Sequence, residues 1–431
     1  MDNKDYFIKN VYLKVAKRDD SSDNLVGIRI TKNEETEKLT VIFPIGYSLG
    51  TIDEEIEYKE DYNNDIKYLI QCLSMKLDNS EMSKKINFSF ISAIQLIQDY
   101  KKIGLYKENI IEEIRENPGK PNWKKTINSS NNKILWQNKR ILQEIFYKKI
   151  NYNYQGKIQQ IQKYCLGFIS MVIGPFYKFN YPKFQKPASN GEMLKIIEEE
   201  ILKTNVDDKK LFLNHLRNFI TESNCIDLNI NNRQVIEFGT KKFHNIWEKL
   251  IDRKFGGVWD LRKYNPQAIY LNKELKPLQD LQHKVSPSRP DTIIDYKSDK
   301  EIIIIDAKYY KIGNLPGEYD INKQLRYAEY CAKQKFNKDD EKGIVYNIFI
   351  LPNIINNDRA YNIESFASNE NYYERFEKSS ETIDGRKIVA VCYVDTKKII
   401  SASDSYWKEE LDNMLSEISE IYVKAEKNNY I

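Results

Sequence analysis

Residues 302–305 are four isoleucines in a row, and they run directly into Asp306, Ala307 and Lys308. β-Branched residues in an unbroken run read as a strand, and a strand with no polar alternation is covered on both faces. Such a strand belongs inside a layered domain, between helices. The polar residues therefore emerge from the end of a buried element. Side chains alternate along a strand, so Asp306 and Lys308 share one face and Ala307 takes the other. Upstream, DTIIDY (291–296) is a second strand-like run, separated from EIIIIDAKYY (301–310) by the polar turn KSDK. The pair reads as a hairpin that brings Asp291 close to Asp306. Two carboxylates there make a hard, oxygen-only site suited to Mg2+ or Mn2+ rather than zinc. A lysine beside them can position a metal-activated water and stabilise charge on a phosphorane. The Ala307 carbonyl is an additional candidate ligand.

The segment before this hairpin, KKFHNIWEKLIDRKF (241–255), carries Phe243, Ile246, Trp247 and Leu250 at helical spacing, after Thr240 as a capping residue. Glu248 lies on that helix and is a candidate third carboxylate. Each of these residues also has a plain structural reading. Asp291 can cap a turn after Pro290, Lys308 can be a solvated edge-strand residue, and Glu248 can pair with Lys249 or Arg253. A helix over about 320–336, bearing Lys323 and Gln324, follows the hairpin. Strands over 343–352 and 387–395 and a helix from about Asp404 complete the pattern, an α/β (α+β layered) domain with a mixed sheet flanked by helices.

Three zones emerge along the chain. Residues 1–118 read as a mixed α/β domain for DNA recognition or partner docking. It contains the strand-like LTVIFPIGY (39–47) and a helix over 88–104, with Ile91, Ile94, Leu96, Ile97 and Tyr100 on one face and Gly104 as its stop. Residues 119–239 read as a basic, aromatic-rich and mainly helical region. Between 119 and 163 stand ten basic residues against one acid, Glu144. Cations neutralise phosphates and aromatic rings stack on bases, so Lys120, Trp123, Lys124, Lys125, Lys139 and Arg140 are candidate DNA contacts. A solvated lysine-rich face is the alternative. Residues 240–431 hold the candidate site.

Composition excludes several classes. With 67 Lys and Arg against 63 Asp and Glu, the net charge of +4 marks no partner by itself. No apolar run approaches the ~18–20 residues of a membrane span. The N-terminus has no basic-then-apolar leader, and the five cysteines form no CxxC pair, so a reducing, cytoplasmic setting is expected. No GxxxxGK[ST] loop is present, so no nucleotide is expected on this chain. The three histidines, His215, His244 and His283, are too scattered for an HNH nuclease.

The PD…DAK pattern on an α/β core resembles the PD-(D/E)xK nuclease superfamily. The run 306–327, DAKYY…LPGEYDINKQLRY, resembles the LlaJI-type restriction endonucleases, relatives of the McrC nuclease subunit. IQLIQDYKKIGLY (94–106), GKPNWKKTI (119–127) and FGTKKFHNIWEKL (238–250) fit the same family in the same order. The matching stretches span roughly 91–352. The resemblance implies a Mg2+-dependent endonuclease acting on double-stranded DNA in a restriction-modification system for phage defence. Asp291 and Asp306 become metal ligands, with Glu248 as the helix carboxylate and Lys308 as the catalytic lysine. Gln324 matches a polar residue that contacts DNA or orders the site. Asp306 stands where many superfamily members carry Glu, and the shorter acid still ligates metal. The implied partners are a second copy of the chain or a DNA-bridged pair, and a cognate methyltransferase. A GTP-hydrolysing AAA+ subunit belongs to the McrBC-like alternative, in which recognition sits in the partner. A non-catalytic DNA-binding scaffold and a repair nuclease are further readings.

Overall fold

The computed structural model describes residues 10–16, 24–32, 37–50, 55–75, 88–114, 120–128, 133–136, 139–142, 145–153, 156–223, 235–257, 289–296, 300–336, 343–355, 359–370 and 384–428. The chain divides into two compact units. One comprises residues 86–231 with 1–7; the other comprises 8–85 together with 232–431. This division differs from the three zones drawn at 118 and 239: residues 8–85 pack with the C-terminal part, and 86–231 form a unit of their own. The larger unit begins with β1 (Asn10–Val15), β2 (Val26–Lys32), β3 (Glu37–Phe43) and β4 (Glu55–Glu57), followed by helix α1 (Asn63–Leu73).

The unit of 86–231 opens with α2 (Phe90–Ile103). Ser89 caps it by accepting from the Ser92 N–H, and Gly104, at φ 72, ends it. Leu96 and Ile97 are buried as the periodicity predicts, whereas Ile91 is exposed and Phe90 and Ala93 take its place in the core. The basic stretch is not mainly helical at its start. After β5 (Glu108–Ile114), which precedes it, it contains β6 (Lys120–Pro121), the short helix α3 (Trp123–Asn128), β7 (Lys133–Trp136), β8 (Lys139–Leu142) and β9 (Tyr147–Asn153). Strands β5, β9 and β6 form one antiparallel sheet, and β7 and β8 a separate pair. Alternating β-branched and lysine residues carry a weak periodicity, so strand pairing decides the local structure here. Three helices follow: α4 (Lys157–Ile173), α5 (Asn190–Lys203) and α6 (Asp207–Glu222). The apolar segment 165–176 is core, with Cys165, Leu166, Ile169, Val172 and Ile173 fully buried. The ends of the unit meet: Ser89 N–H donates to Ser223 Oγ at 2.9 Å, and Ser89 Oγ to Glu222 Oε2 at 2.6 Å.

The chain returns to the larger unit through β10 (Val235–Thr240), which joins the first sheet in the order β10-β2-β3-β1-β4. Thr240 ends this strand rather than capping a helix. Lys242 precedes the next helix, α7 (Phe243–Phe255), and its N–H donates to Thr240 Oγ1 at 3.0 Å. The second sheet contains β11 (Thr292–Tyr296), β12 (Glu301–Ala307), β13 (Ile344–Asn353), β14 (Tyr361–Ala367) and β15 (Val389–Asp395), in the order β11-β12-β13-β15-β14. β12 is antiparallel to β11 and parallel to β13. Parallel neighbours need a crossover, which helix α8 (Glu318–Lys335) supplies. The chain closes with α9 (Thr396–Ser401) and α10 (Asp404–Asn428). Both sheets are mixed and flanked by helices, the α/β class expected. β14 escaped the sequence reading because its alternation, begun at Tyr361, is broken by an irregularity between Ile363 and Ser365. The two sheets are joined through Ile45, whose N–H donates to the Tyr309 oxygen at 2.8 Å and whose carbonyl accepts from Thr396 Oγ1 at 3.1 Å. No described helix is long and apolar enough to cross a membrane. Cys72, Cys165, Cys331 and Cys392 are buried free thiols, and Cys225 lies outside the described residues.

Candidate active site

The four isoleucines 302–305 are 0% exposed. Ile302 and Ile304 face α8 and pack with Tyr327, Ala328, Cys331 and Ala332. The opposite face meets α7. Tyr309, two residues beyond the strand on that parity, packs with tilted rings against Phe243 and Trp247 at 5.3 and 6.0 Å between ring centroids. Alternation then places Asp306 and Lys308 on the α8 side, at the end of a strand with no solvent on either face. The ladder continues one residue further, as Lys308 N–H donates to the Ile350 carbonyl at 2.9 Å.

Asp291 precedes β11 by one residue. Thr292 stands opposite Ile305, so Asp291 reaches the level of Asp306. Its Oδ2 accepts the Ala307 N–H at 2.8 Å. Asp306 is 3% exposed, and its Oδ2 lies 2.6 Å from Lys308 Nζ. The ammonium also donates to Asp320 Oδ1 at 2.8 Å, and Tyr310 donates its hydroxyl to Asp320 Oδ2 at 2.8 Å. Glu248 is half-buried on α7, whose last turn is tied to β11 by Thr292 Oγ1 donating to Asp252 Oδ1 at 2.9 Å.

Burial pushes the Asp291 carboxyl up to about 8, and the neighbouring Asp306 and Glu248 charges add to it. The Ala307 N–H and the Lys308 charge pull the other way. Burial works against the Lys308 ammonium, but Asp306 and Asp320 outweigh it and hold its pKa above the ordinary lysine value. Asp320 is also opposed by burial, yet its bonds to Lys308 and Tyr310 keep it below the usual carboxylate range. Asp306 and Asp320 share one lysine, and Asp291 beside them keeps its proton up to about pH 8 unless further positive charge arrives. That is the electrostatic setting of a cation site. No group of three or more His, Cys, Asp or Glu among the described residues converges into a ready-made cage. Mg2+ does not need one, since it keeps several waters and is held by one or two carboxylates. Asp291 and Asp306 fit that requirement.

A family model described as LlaJI restriction endonuclease matches residues 58–370, more than half of the chain. The chain belongs to the LlaJI restriction endonuclease family. The match reaches further in both directions than the stretch 91–352 that carried the resemblance. The component YdjA of the type II restriction enzyme BsuMI from Bacillus subtilis (strain 168) is 27% identical over 313 residues, 64% of this chain. That alignment spans 60% of the relative's own length. Among solved structures, a chain of the half-complex of Thermococcus gammatolerans McrB AAA+ hexamers with bound McrC is similar over 93% of this chain and 86% of that one. Its identity is 11% and its TM-score 0.41.

For this LlaJI-family chain, the remaining site residues distribute as follows. Gln324 is buried. It is 1% exposed on the buried stripe of α8, its Nε2 donates to the Ile304 carbonyl at 3.4 Å, and its main-chain carbonyl accepts from Asn347 Nδ2 at 3.3 Å. Its spacing to Tyr327, Ala328 and Cys331 is that of one helix face. Gln324 therefore ties α8 to the backbone of β12 two residues before Asp306. Trp123 is 53% exposed on α3, with Lys124 and Lys125 exposed beside it. Lys125 Nζ lies 5.3 Å from the centre of the Phe146 ring. Lys120 opens β6, and Lys139 and Arg140 open β8; their side chains lie outside the described residues. Arg253, the other candidate partner of Glu248, is 3.2 Å from Asp404. His215 pairs with Asp99 at 2.8 Å, His244 is exposed, and His283 lies outside the described residues. Sequence reasoning missed Asp320 and Tyr310. Glu318 and Asp320 both sit in the first turn of α8, and nothing in the linear pattern says which one meets the lysine.

Proposed function

We propose that the chain is a Mg2+-dependent restriction endonuclease with a PD-(D/E)xK core, hydrolysing phosphodiester bonds in double-stranded DNA at a specific site. The observation that carries this reading is the convergence of Asp291, Asp306 and Lys308 at the end of β12, within a restriction endonuclease family. When bound, Mg2+ or Mn2+ would polarise the scissile phosphate and acidify a water. Asp291 and Asp306 would hold it, with Glu248 and the Ala307 carbonyl as further donors. Lys308 orients the attacking water and carries the positive charge that the phosphorane needs. Trp123, Lys124 and Lys125 hold the DNA backbone and a base or sugar face. Cutting both strands requires two such sites, hence a homodimer or a DNA-bridged pair, and a cognate methyltransferase protects the host sites.

A second reading rests on the word component in the name of the Bacillus relative. Here the chain is the cleaving subunit of a complex whose recognition, or GTP-driven motor, lies in a partner. One experiment separates the two. Unmethylated phage DNA is incubated with Mg2+ and either the parent or Asp306→Ala. Discrete bands from the parent alone are expected. Cutting by Asp306→Ala would remove the site assignment. No cutting by the parent until a P-loop GTPase partner is added would establish the second reading.

A further inference from the structure

Lys308 is held by two carboxylates, and only one of them belongs to the candidate metal site. Its ammonium lies 2.6 Å from Asp306 and 2.8 Å from Asp320. A divalent cation on Asp306 and the ammonium already seated on its Oδ2 repel each other and draw on the same carboxylate charge. A lysine with no second partner would either keep Asp306 from the cation or leave for solvent.

Asp320 is built to be that second partner. It stands in the first turn of α8, where the helix terminus favours negative charge. Its second oxygen is occupied by the Tyr310 hydroxyl, which fixes the carboxylate's orientation. It does not cap its own helix: Gly317 is the N-cap residue and has no side chain to complete a capping box. We propose that Asp320 is a positioning residue that receives the Lys308 ammonium when Asp306 turns to the cation, keeping the lysine in the site as metal enters. The proposal rests on the nuclease reading above.

The test is Mn2+ binding to the full chain without DNA, by titration calorimetry, beside cleavage kinetics. With Asp320→Asn, Lys308 falls back on Asp306 alone. Mn2+ affinity should drop about tenfold and kcat about 10- to 100-fold, with KM for DNA unchanged. Asp320→Glu should recover part of both. Adding Lys308→Met to Asp320→Asn removes the competitor and should return Mn2+ affinity to the parent level or above, although cleavage stays lost. A purely structural Asp320 would not show that recovery. The proposal is overturned if Asp320→Asn binds Mn2+ and turns over like the parent, or if Lys308→Met does not restore the lost affinity. If the parent and Asp306→Ala bind Mn2+ equally, the metal-site reading itself falls, and that arm does not involve Asp320.

Discussion

The Asp291 carboxyl is the residue whose protonation the fold disturbs in a directly measurable way. An aspartate titrates near 3.8 when unperturbed, and burial first, then Asp306 and Glu248, raise it to about 8 in the folded chain. Between those values the folded state binds more protons than the unfolded one, so this group's contribution to stability falls as pH rises through that window. Asp291→Asn removes the titration while keeping an oxygen for the Ala307 N–H. In thermal melts without divalent cations, the variant should gain on the parent by about 2–4 °C between pH 5 and 8. Parallel melting curves across that range would show that the acid cluster is already neutralised. Added Mn2+ should stabilise the parent more than the variant. The meeting of Asp291, Asp306 and Lys308 was legible in the sequence because strand alternation and a hairpin turn are local rules. Asp320 was not, because its meeting with Lys308 depends on where α8 lands.

At the scale of elements, β12 shares its burial on both faces with β13 and β15, and it bears the candidate site because Asp306 and Lys308 stand at its end beside Asp291. Ile304→Ala should cost about 2–5 kcal/mol in urea denaturation, through lost burial and the cavity left against α8. A change below about 1 kcal/mol would mean that α8 does not pack there as described. The pairing of β2 with β10 depends on a different feature. Gly27 and Gly239 face each other at φ +148 and +146. A Cβ on Gly27 would sit 2.1 Å from the Phe238 carbonyl oxygen. Gly27→Ala should therefore separate these strands and destabilise the chain by about 2 kcal/mol or more, read as a lowered urea midpoint. A near-neutral Gly27→Ala would contradict the register. Neither glycine stood out in the sequence, since their role is to let two backbones approach across 200 residues of chain.

At the scale of the whole molecule, residues 86–231 form a compact unit whose two ends are hydrogen-bonded to each other. A segment closed at its base in this way should fold as an isolated fragment of residues 88–223, with helical circular dichroism and a cooperative melt. A fragment without a melting transition would make the unit dependent on the rest of the chain. The same fragment contains Trp123, Lys124 and Lys125, so it should bind duplex DNA with strong salt dependence. Replacing both lysines should weaken binding uniformly across sequences and reduce the salt slope by about 2. An unchanged slope would return those lysines to the role of a solvated face.

The sequence by itself determined the α/β class, the strand that bears the candidate site, the meeting of Asp291 with Asp306 and Lys308, and the resemblance to the LlaJI family. All of these follow from local periodicity and from motifs contiguous in the chain. Tertiary structure alone decided that residues 8–85 pack with the C-terminal part, that Gln324 is sealed against the sheet, and that Asp320 grips Lys308. Those outcomes turn on which faces of distant elements are buried together. That is settled by the packing of the whole core and by long-range strand pairing, for which no short stretch of sequence holds the information.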